Sequence, residues 1–364
     1  MNTTSDTLHG RAAVFSGSGN PFELRHFPIP HPVGGEILVR VTCSTICGSD
    51  LHTWHGRRQE PTPCVLGHEI VGTIIDFGHD ALREDLRGVT LEKGDRITWT
   101  LAASCGDCFY CIRGLPQKCE TLFKYGHSRL SPGGEFSGGF AEYCLLRQGT
   151  GLIRLPDDLP DALAAPANCA VATVAAACRL AGDLRDSSVL VLGCGVLGLT
   201  AIAMAVHCGA EEVIACDLDE RRGPMAVRFG ATHFCAPGEV LAVSREASCG
   251  RGVDVAMEFS GAASAAAAAI EALRTGGTAV IAGTTTPGGK ITIDPNDLVR
   301  RMLVIKGLHN YAPEDLVAAM DFLVACQDKV PFSELQGETF GLSEIGEAFE
   351  SSDSNPGRRT VVMG

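Results

Sequence analysis

No run of lysine and arginine in this chain is long enough to grip a phosphate backbone, and the formal net charge of −13 would repel one. Nucleic acid is therefore not an expected partner. The chain also lacks any apolar stretch as long as a membrane span. Its first residues, MNTTSDTLHG, have neither the basic nor the apolar region of a signal peptide. A cytoplasmic protein without a membrane partner is the expectation. With 45% hydrophobic and 20% charged residues, the composition argues against disorder, fibres and a coiled coil. At 364 residues the chain exceeds the size at which one core keeps growing, so two domains are expected.

Cysteine is not scarce: there are sixteen. In the cytoplasm these stay mostly as thiols, so a tight cluster points to metal or catalysis rather than crosslinks. CGDCFYCIRGLPQKC places Cys105, Cys108, Cys111 and Cys119 at intervals of two, two and seven residues. One looped segment can fold four such thiolates around a tetrahedral ion with no position left open, which describes a structural zinc site. An iron-sulfur cluster also takes four thiolates and is the rival reading.

Up to about residue 155 the chain is rich in Gly, Pro and β-branched residues, with alternating stretches such as EILVRVTC and EIVGTIIDFG. That is the texture of an antiparallel β domain. The composition then turns to Ala-rich helix. From Ser188 short apolar strands alternate with helices, SVLVLG, EEVIACD, VDVAMEFSG and GGTAVIAG among them. This pattern predicts an α/β unit with a doubly wound parallel sheet. The tail holds a helix, PEDLVAAMDFLVAC, and ends in β texture, RRTVVMG. The expected domains are residues 1–158 with a zinc lobe at about 100–125, residues 159–309, and a return of 310–364 to the first.

CSTICGSDLHTWHG and LGHEIVG supply Cys47, His68 and Glu69 in the β domain, and APANCAVATVAAA supplies Cys169. A thiolate, an imidazole and one further ligand make the three-ligand shell of a catalytic zinc. Each of these residues alone is more often an ordinary buried core residue than a ligand. Cys43, Cys64, Cys194 and Cys208 are read as small core residues.

SVLVLGCGVLGLTAIAMAVHCGAEEVIACD is a strand, the triplet Gly193, Gly195 and Gly198, a helix, a second strand and Asp217. The glycines permit the tight turn, the approach of pyrophosphate to backbone and close helix–strand packing. The helix N-terminus then faces the phosphates. Asp217 would accept from the ribose hydroxyls and repel a 2′-phosphate, favouring NAD over NADP, with Arg221 and Arg222 nearby pulling the other way.

CGSDLH followed by GHE, the four-cysteine lobe, GGFAEY, NCAVAT, the glycine fingerprint and the closing RRT stand in family order. With them the sequence resembles the zinc-dependent medium-chain alcohol dehydrogenases over nearly its whole length. The resemblance implies a GroES-like catalytic domain, a Rossmann coenzyme domain, a homodimer or homotetramer, and zinc at two sites per subunit. It implies Cys47, His68 and Cys169 as catalytic zinc ligands, Glu69 as a carboxylate able to approach the metal, and Asp50 as the partner orienting His68. Ser49 matches the hydroxyl contacting the alcohol and His52 the histidine relaying its proton. Thr173 and Leu197 match nicotinamide contacts, Arg222 an adenosine neighbour and Arg359 a pyrophosphate contact. Gly48 departs from members carrying a basic residue there. The reaction implied is reversible oxidation of an alcohol to an aldehyde or ketone, with NAD taking the hydride and zinc acting as Lewis acid.

Six residues beyond His52, at a position that simple-alcohol enzymes line with apolar groups, stands Arg58, beside Arg57. Guanidinium there either grips an anionic substrate or lies on a solvated loop. HGRR, GLPQKC, KYGH and GLHNYAPEDL are similar to a subgroup associated with phosphonate metabolism. This similarity implies a hydroxyalkylphosphonate substrate, with Arg57, Arg58, Lys124, His127, His309 and Asn310 as anion contacts. A polyol or threonine-type dehydrogenase, and a silent zinc and nucleotide binder, are the alternatives.

Overall fold

The computed structural model describes residues 8–284 and 289–364; the first seven residues, part of the stretch read as lacking a leader, lie outside them. The chain divides into two compact units. One comprises residues up to 169, 312–320 and 332–364; the other comprises 170–311 and 321–331. The division thus comes after Cys169 rather than after residue 158. The cause is local packing: helix Asp161–Ala164 and the turn Ala165–Asn168 lie on the sheet of the first unit. Asp161 accepts from Thr42 Oγ1 at 2.5 Å and from Arg96 Nε at 3.0 Å. The expected return segment 310–364 is also split, because helix Pro313–Cys326 passes from one unit into the other.

In the first unit a seven-stranded sheet is organised around strand Ile37–Thr45, which pairs antiparallel with Glu69–Phe77, Tyr143–Leu146 and Arg359–Met363. Alternation of side chains across the pleat places Val39, Val41, Ile70, Ile74, Ile97 and Trp99 in one core. The expected β texture of EILVRVTC and EIVGTIIDFG is realised in the two central strands. The tail strand Arg359–Met363 pairs directly with Ile37–Thr45, so the last residues of the chain border the site formed by the first half.

The second unit is a six-stranded, wholly parallel sheet. Its order is His233–Cys235, Glu212–Cys216, Ser188–Leu192, Val253–Glu258, Leu273–Ile281 and Val304–Gly307. This is the doubly wound Rossmann order, with the chain reversing direction of travel at Ser188–Leu192. That strand is buried throughout, as a strand covered by helices on both faces must be. Among the described residues no single helix is long and apolar enough to cross a membrane.

Candidate metal centres and nucleotide site

Cys47 precedes the short helix Gly48–Trp54, and its backbone N–H donates to Asp50 Oδ2 at 2.9 Å. The other oxygen of Asp50 lies 3.3 Å from His68 Nδ1. One buried carboxylate therefore fixes both the turn that carries Cys47 and the ring of His68. Gly67, immediately before His68, has φ +88°, and a Cβ there would stand 2.9 Å from the Phe140 nitrogen. Only glycine lets the chain turn the imidazole inward at this point. Cys169 arrives from the break between Ala165–Asn168 and helix Ala170–Ala181, with φ −137° and ψ −79°. The Ala-rich stretch is thus interrupted at the very residue expected to leave it as a ligand.

Ligand atoms of Cys47, His68 and Cys169 lie within 4.8 Å of one another, the two sulfurs being 3.9 Å apart. Tetrahedral zinc with Zn–S bonds of about 2.3 Å requires sulfurs roughly 3.8 Å apart, so the donor set fits the ion. Its electrostatics point the same way. Hydrogen bonding from Cys169 holds the Cys47 thiol well below its ordinary range against the effect of burial, with Arg359 and His68 assisting. Burial alone would lower the pKa of His68, but Asp50 and Cys47 raise it to about 10. A site that pulls a proton onto a buried imidazole is one with negative charge for a cation to neutralise.

Glu69 is not among the converging ligands. Its carboxylate accepts from Thr45 Oγ1 at 2.5 Å and pairs with Arg359 Nε at 2.9 Å. Burial lifts its pKa to about 7 even with Arg359 opposing. Arg359, expected at the pyrophosphate, is buried here between Glu69 and the Cys47 sulfur, 3.7 Å from Nη2. Ser49 Oγ lies 3.3 Å from His68 Nε2, at the edge of the cluster.

The consecutive arginines Arg57 and Arg58 serve different places. Arg57 lines a pocket of about 170 Å³ together with Gly48, His52, His55, Arg358 and Arg359. Gly48 leaves open space there, since nothing lies within 4 Å of where its Cβ would be. Arg58 instead pairs with Glu60, Nε to Oε1 at 2.7 Å. The same oxygen accepts from His127 Nδ1 at 3.0 Å, and the His127 ring rests against that of His68 with centroids 4.9 Å apart. Burial and neighbouring Arg58 lower the Lys124 pKa to about 8. Glu60 escapes sequence reasoning, although a carboxylate two residues after Arg58 in HGRRQE is a recognisable counter-ion. His309 and Asn310 belong to the other unit.

The four-cysteine lobe closes as its spacing predicts. Cys105, Cys108, Cys111 and Cys119 present sulfurs within 4.8 Å of one another, with Cys105 3.9 Å from Cys111 and 3.4 Å from Cys119. The Cys105 N–H donates to Cys119 Sγ at 3.3 Å, stabilising thiolate. Against burial, this bond and contacts with Thr121 bring the Cys119 pKa to about 6.

In the second unit Gly195 caps helix Val196–His207, which carries Leu197, and Thr173 sits on helix Ala170–Ala181. A Cβ on Gly198 would fall 1.7 Å from the Gly193 oxygen, so helix and strand meet there only through glycine. Asp217 follows strand Glu212–Cys216 and accepts the Cys194 N–H at 2.6 Å and Arg222 Nη1 at 3.2 Å. Arg221 points away, paired with Asp219 at 2.7 Å. Cys43, Cys64 and Cys194 are buried as expected, whereas Cys208 is only partly so.

The description "Alcohol dehydrogenase GroES-like domain" matches residues 34–157, and "Zinc-binding dehydrogenase" matches residues 196–325. An L-threonine 3-dehydrogenase of Deinococcus deserti is 30% identical over 344 residues, 92% of this chain and 93% of that one. The crystal structure of an alcohol dehydrogenase from Thermotoga maritima superposes with a TM-score of 0.90 at 26% identity, covering 98% of this chain and 99% of that chain. A Sinorhizobium meliloti protein described as a zinc-binding dehydrogenase, bound to NADP, gives 0.85 at 28% identity, covering 98% and 100%. Taken with three ligands converging at tetrahedral spacing and a closed four-thiolate lobe, these matches establish that the chain belongs to the zinc-binding alcohol dehydrogenase family, as an oxidoreductase.

Proposed function

We propose that the chain oxidises a small alcohol bearing an anionic group, using NAD. The observation that carries this reading is Lys124. Lys124 is half-buried, and burial with Arg58 depresses its pKa to about 8 against the attraction of Glu60 and Cys169. A partly desolvated ammonium is costly to keep charged, and a substrate anion would relieve the cost. Lys124 stands in the Arg58, Glu60 and His127 group whose imidazole rests on the metal ligand His68.

Zinc, when bound, supplies Lewis acidity that makes an alcohol hydroxyl more acidic, and the nicotinamide ring accepts the hydride. The chain's own residues do the rest. Cys47, His68 and Cys169 would hold the ion, and Asp50 keeps Cys47 and His68 in register. Ser49 Oγ, 3.3 Å from His68 Nε2, would accept the hydroxyl proton. His52, whose proton affinity is lowered by burial and by Arg57, is neutral at pH 7 and able to pass that proton on. Asp217 favours NAD through its negative charge at the adenosine ribose; the NADP bound by the Sinorhizobium meliloti relative makes dual use the competing outcome.

Two anion chemistries compete. The HGRR and KYGH motifs favour a hydroxyalkylphosphonate, and relatedness to threonine dehydrogenases favours a carboxylate-bearing alcohol. The test is NAD reduction with 2-hydroxyethylphosphonate, 3-hydroxypropanoate, L-threonine, sorbitol and 1-propanol, for the wild type and Lys124→Met. Anionic alcohols should show the higher kcat/KM, and the variant should lose that preference. Equal use of 1-propanol would overturn the reading, preference for sorbitol would move it to polyols, and no turnover of any alcohol would return the silent binder.

A further inference from the structure

Nothing in alcohol oxidation calls for a carboxylate at position 60, and an anion-binding group is weakened by one. Yet Glu60 lies at the centre of that group. A single oxygen accepts from Arg58 Nε at 2.7 Å and from His127 Nδ1 at 3.0 Å. The Glu60 side chain is 9% exposed and that of His127 5%, so little water screens the pair. Burial pushes the Glu60 carboxyl up, but His127 and Arg58 outweigh it and hold it below its usual range. Arg58 contributes one positive charge, Lys124 one that is half lost at pH 8, and Glu60 one negative, leaving at most a single net positive charge. A site shaped for a dianion would leave both cations available.

We infer that Glu60 is a specificity-determining residue: by pairing with Arg58 it limits the substrate's anionic group to one negative charge, such as a carboxylate or sulfonate, and disfavours a dianionic phosphonate. This rests on the anionic-alcohol reading and narrows it. A second negative charge about 6 Å from Glu60, at an effective dielectric constant of about 20, would be penalised about a hundredfold in affinity. A phosphonate escapes part of this by taking up a proton, so the expected discrimination near pH 8 is about fivefold.

The test compares alcohols of one shape and two charges, 2-hydroxyethanesulfonate and 2-hydroxyethylphosphonate, with 1-propanol as the neutral reference. In the zinc-loaded wild type at pH 8 the sulfonate should show the higher kcat/KM. Glu60→Gln, which keeps an acceptor for Arg58 but removes the charge, should shift the ratio about fivefold toward the phosphonate. An unchanged or reversed ratio overturns the inference. Should the variant not fold, calorimetric titration of the wild type with ethanesulfonate and ethylphosphonate decides the matter. Tenfold tighter binding of the phosphonate overturns the assignment, and equal or tighter binding of the sulfonate supports it. If 1-propanol matches both anions, the anionic-alcohol reading fails by itself, while the ratio still reports on Glu60.

Discussion

Glu69 and Arg359, 290 positions apart in the chain, form a buried ion pair at 2.9 Å beside the Cys47 sulfur. Each opens its strand, and strand Ile37–Thr45 lies between the two in the sheet. The guanidinium therefore balances a carboxylate and a metal-ligand thiol at once. Arg359→Met leaves Glu69 without its partner. Unfolding in urea should show a loss of about 3–5 kcal/mol, the usual cost of breaking a buried pair. A loss below about 1 kcal/mol would mean that the pair is dispensable.

The four-cysteine lobe and the Cys47 cluster share no ligand, so each candidate zinc site can be emptied without the other. Cys119→Ser removes the thiolate that the Cys105 N–H stabilises. Metal analysis should then find one zinc per chain instead of two, with a lowered Tm. Two zinc ions in the variant would refute the assignment.

His52 titrates below its ordinary value of 6.5, chiefly through burial and then through Arg57. On the proposed proton path its neutral form is the acceptor, so kcat for alcohol oxidation should fall as the pH drops through that lowered pKa. In His52→Gln this acid limb should vanish and kcat should drop about 100-fold at neutral pH. A pH profile of unchanged shape in the variant would exclude His52 from the proton path.

Asp217 holds the Cys194 N–H of the glycine turn and also carries the charge expected to repel a 2′-phosphate. Asp217→Asn keeps the acceptor and removes the charge, leaving Arg222 unpaired. The NADP to NAD ratio of kcat/KM should rise about tenfold, a change of roughly 1.4 kcal/mol. If the ratio holds constant, coenzyme choice is made elsewhere.

Where a motif is contiguous, its chemistry is legible in the amino-acid order. The lobe cysteines lie within fifteen positions, and their spacing alone dictates that the sulfurs meet. The glycine triplet likewise reports a steric condition inside one strand–turn–helix segment, visible in the 1.7 Å clash a Cβ on Gly198 would make. The pairing of Arg58 is not legible in this way. Two adjacent arginines look equivalent in a sequence, yet the turn after helix Gly48–Trp54 sends Arg57 toward His52 and Arg58 toward Glu60. Cys169 is a ligand candidate in the sequence only through the family resemblance, and the helix break that delivers it is not legible there at all.

The sequence by itself determined the parallel and antiparallel halves, the four-thiolate lobe and the dinucleotide turn, because periodicity, short spacing and glycine sterics act over a few neighbouring residues. Tertiary structure decided what distant residues do to one another. Cys47 meets Cys169 across 122 positions and Glu60 meets His127 across 67. Charge and ligation depend on distances of a few ångströms, and strand order sets those distances.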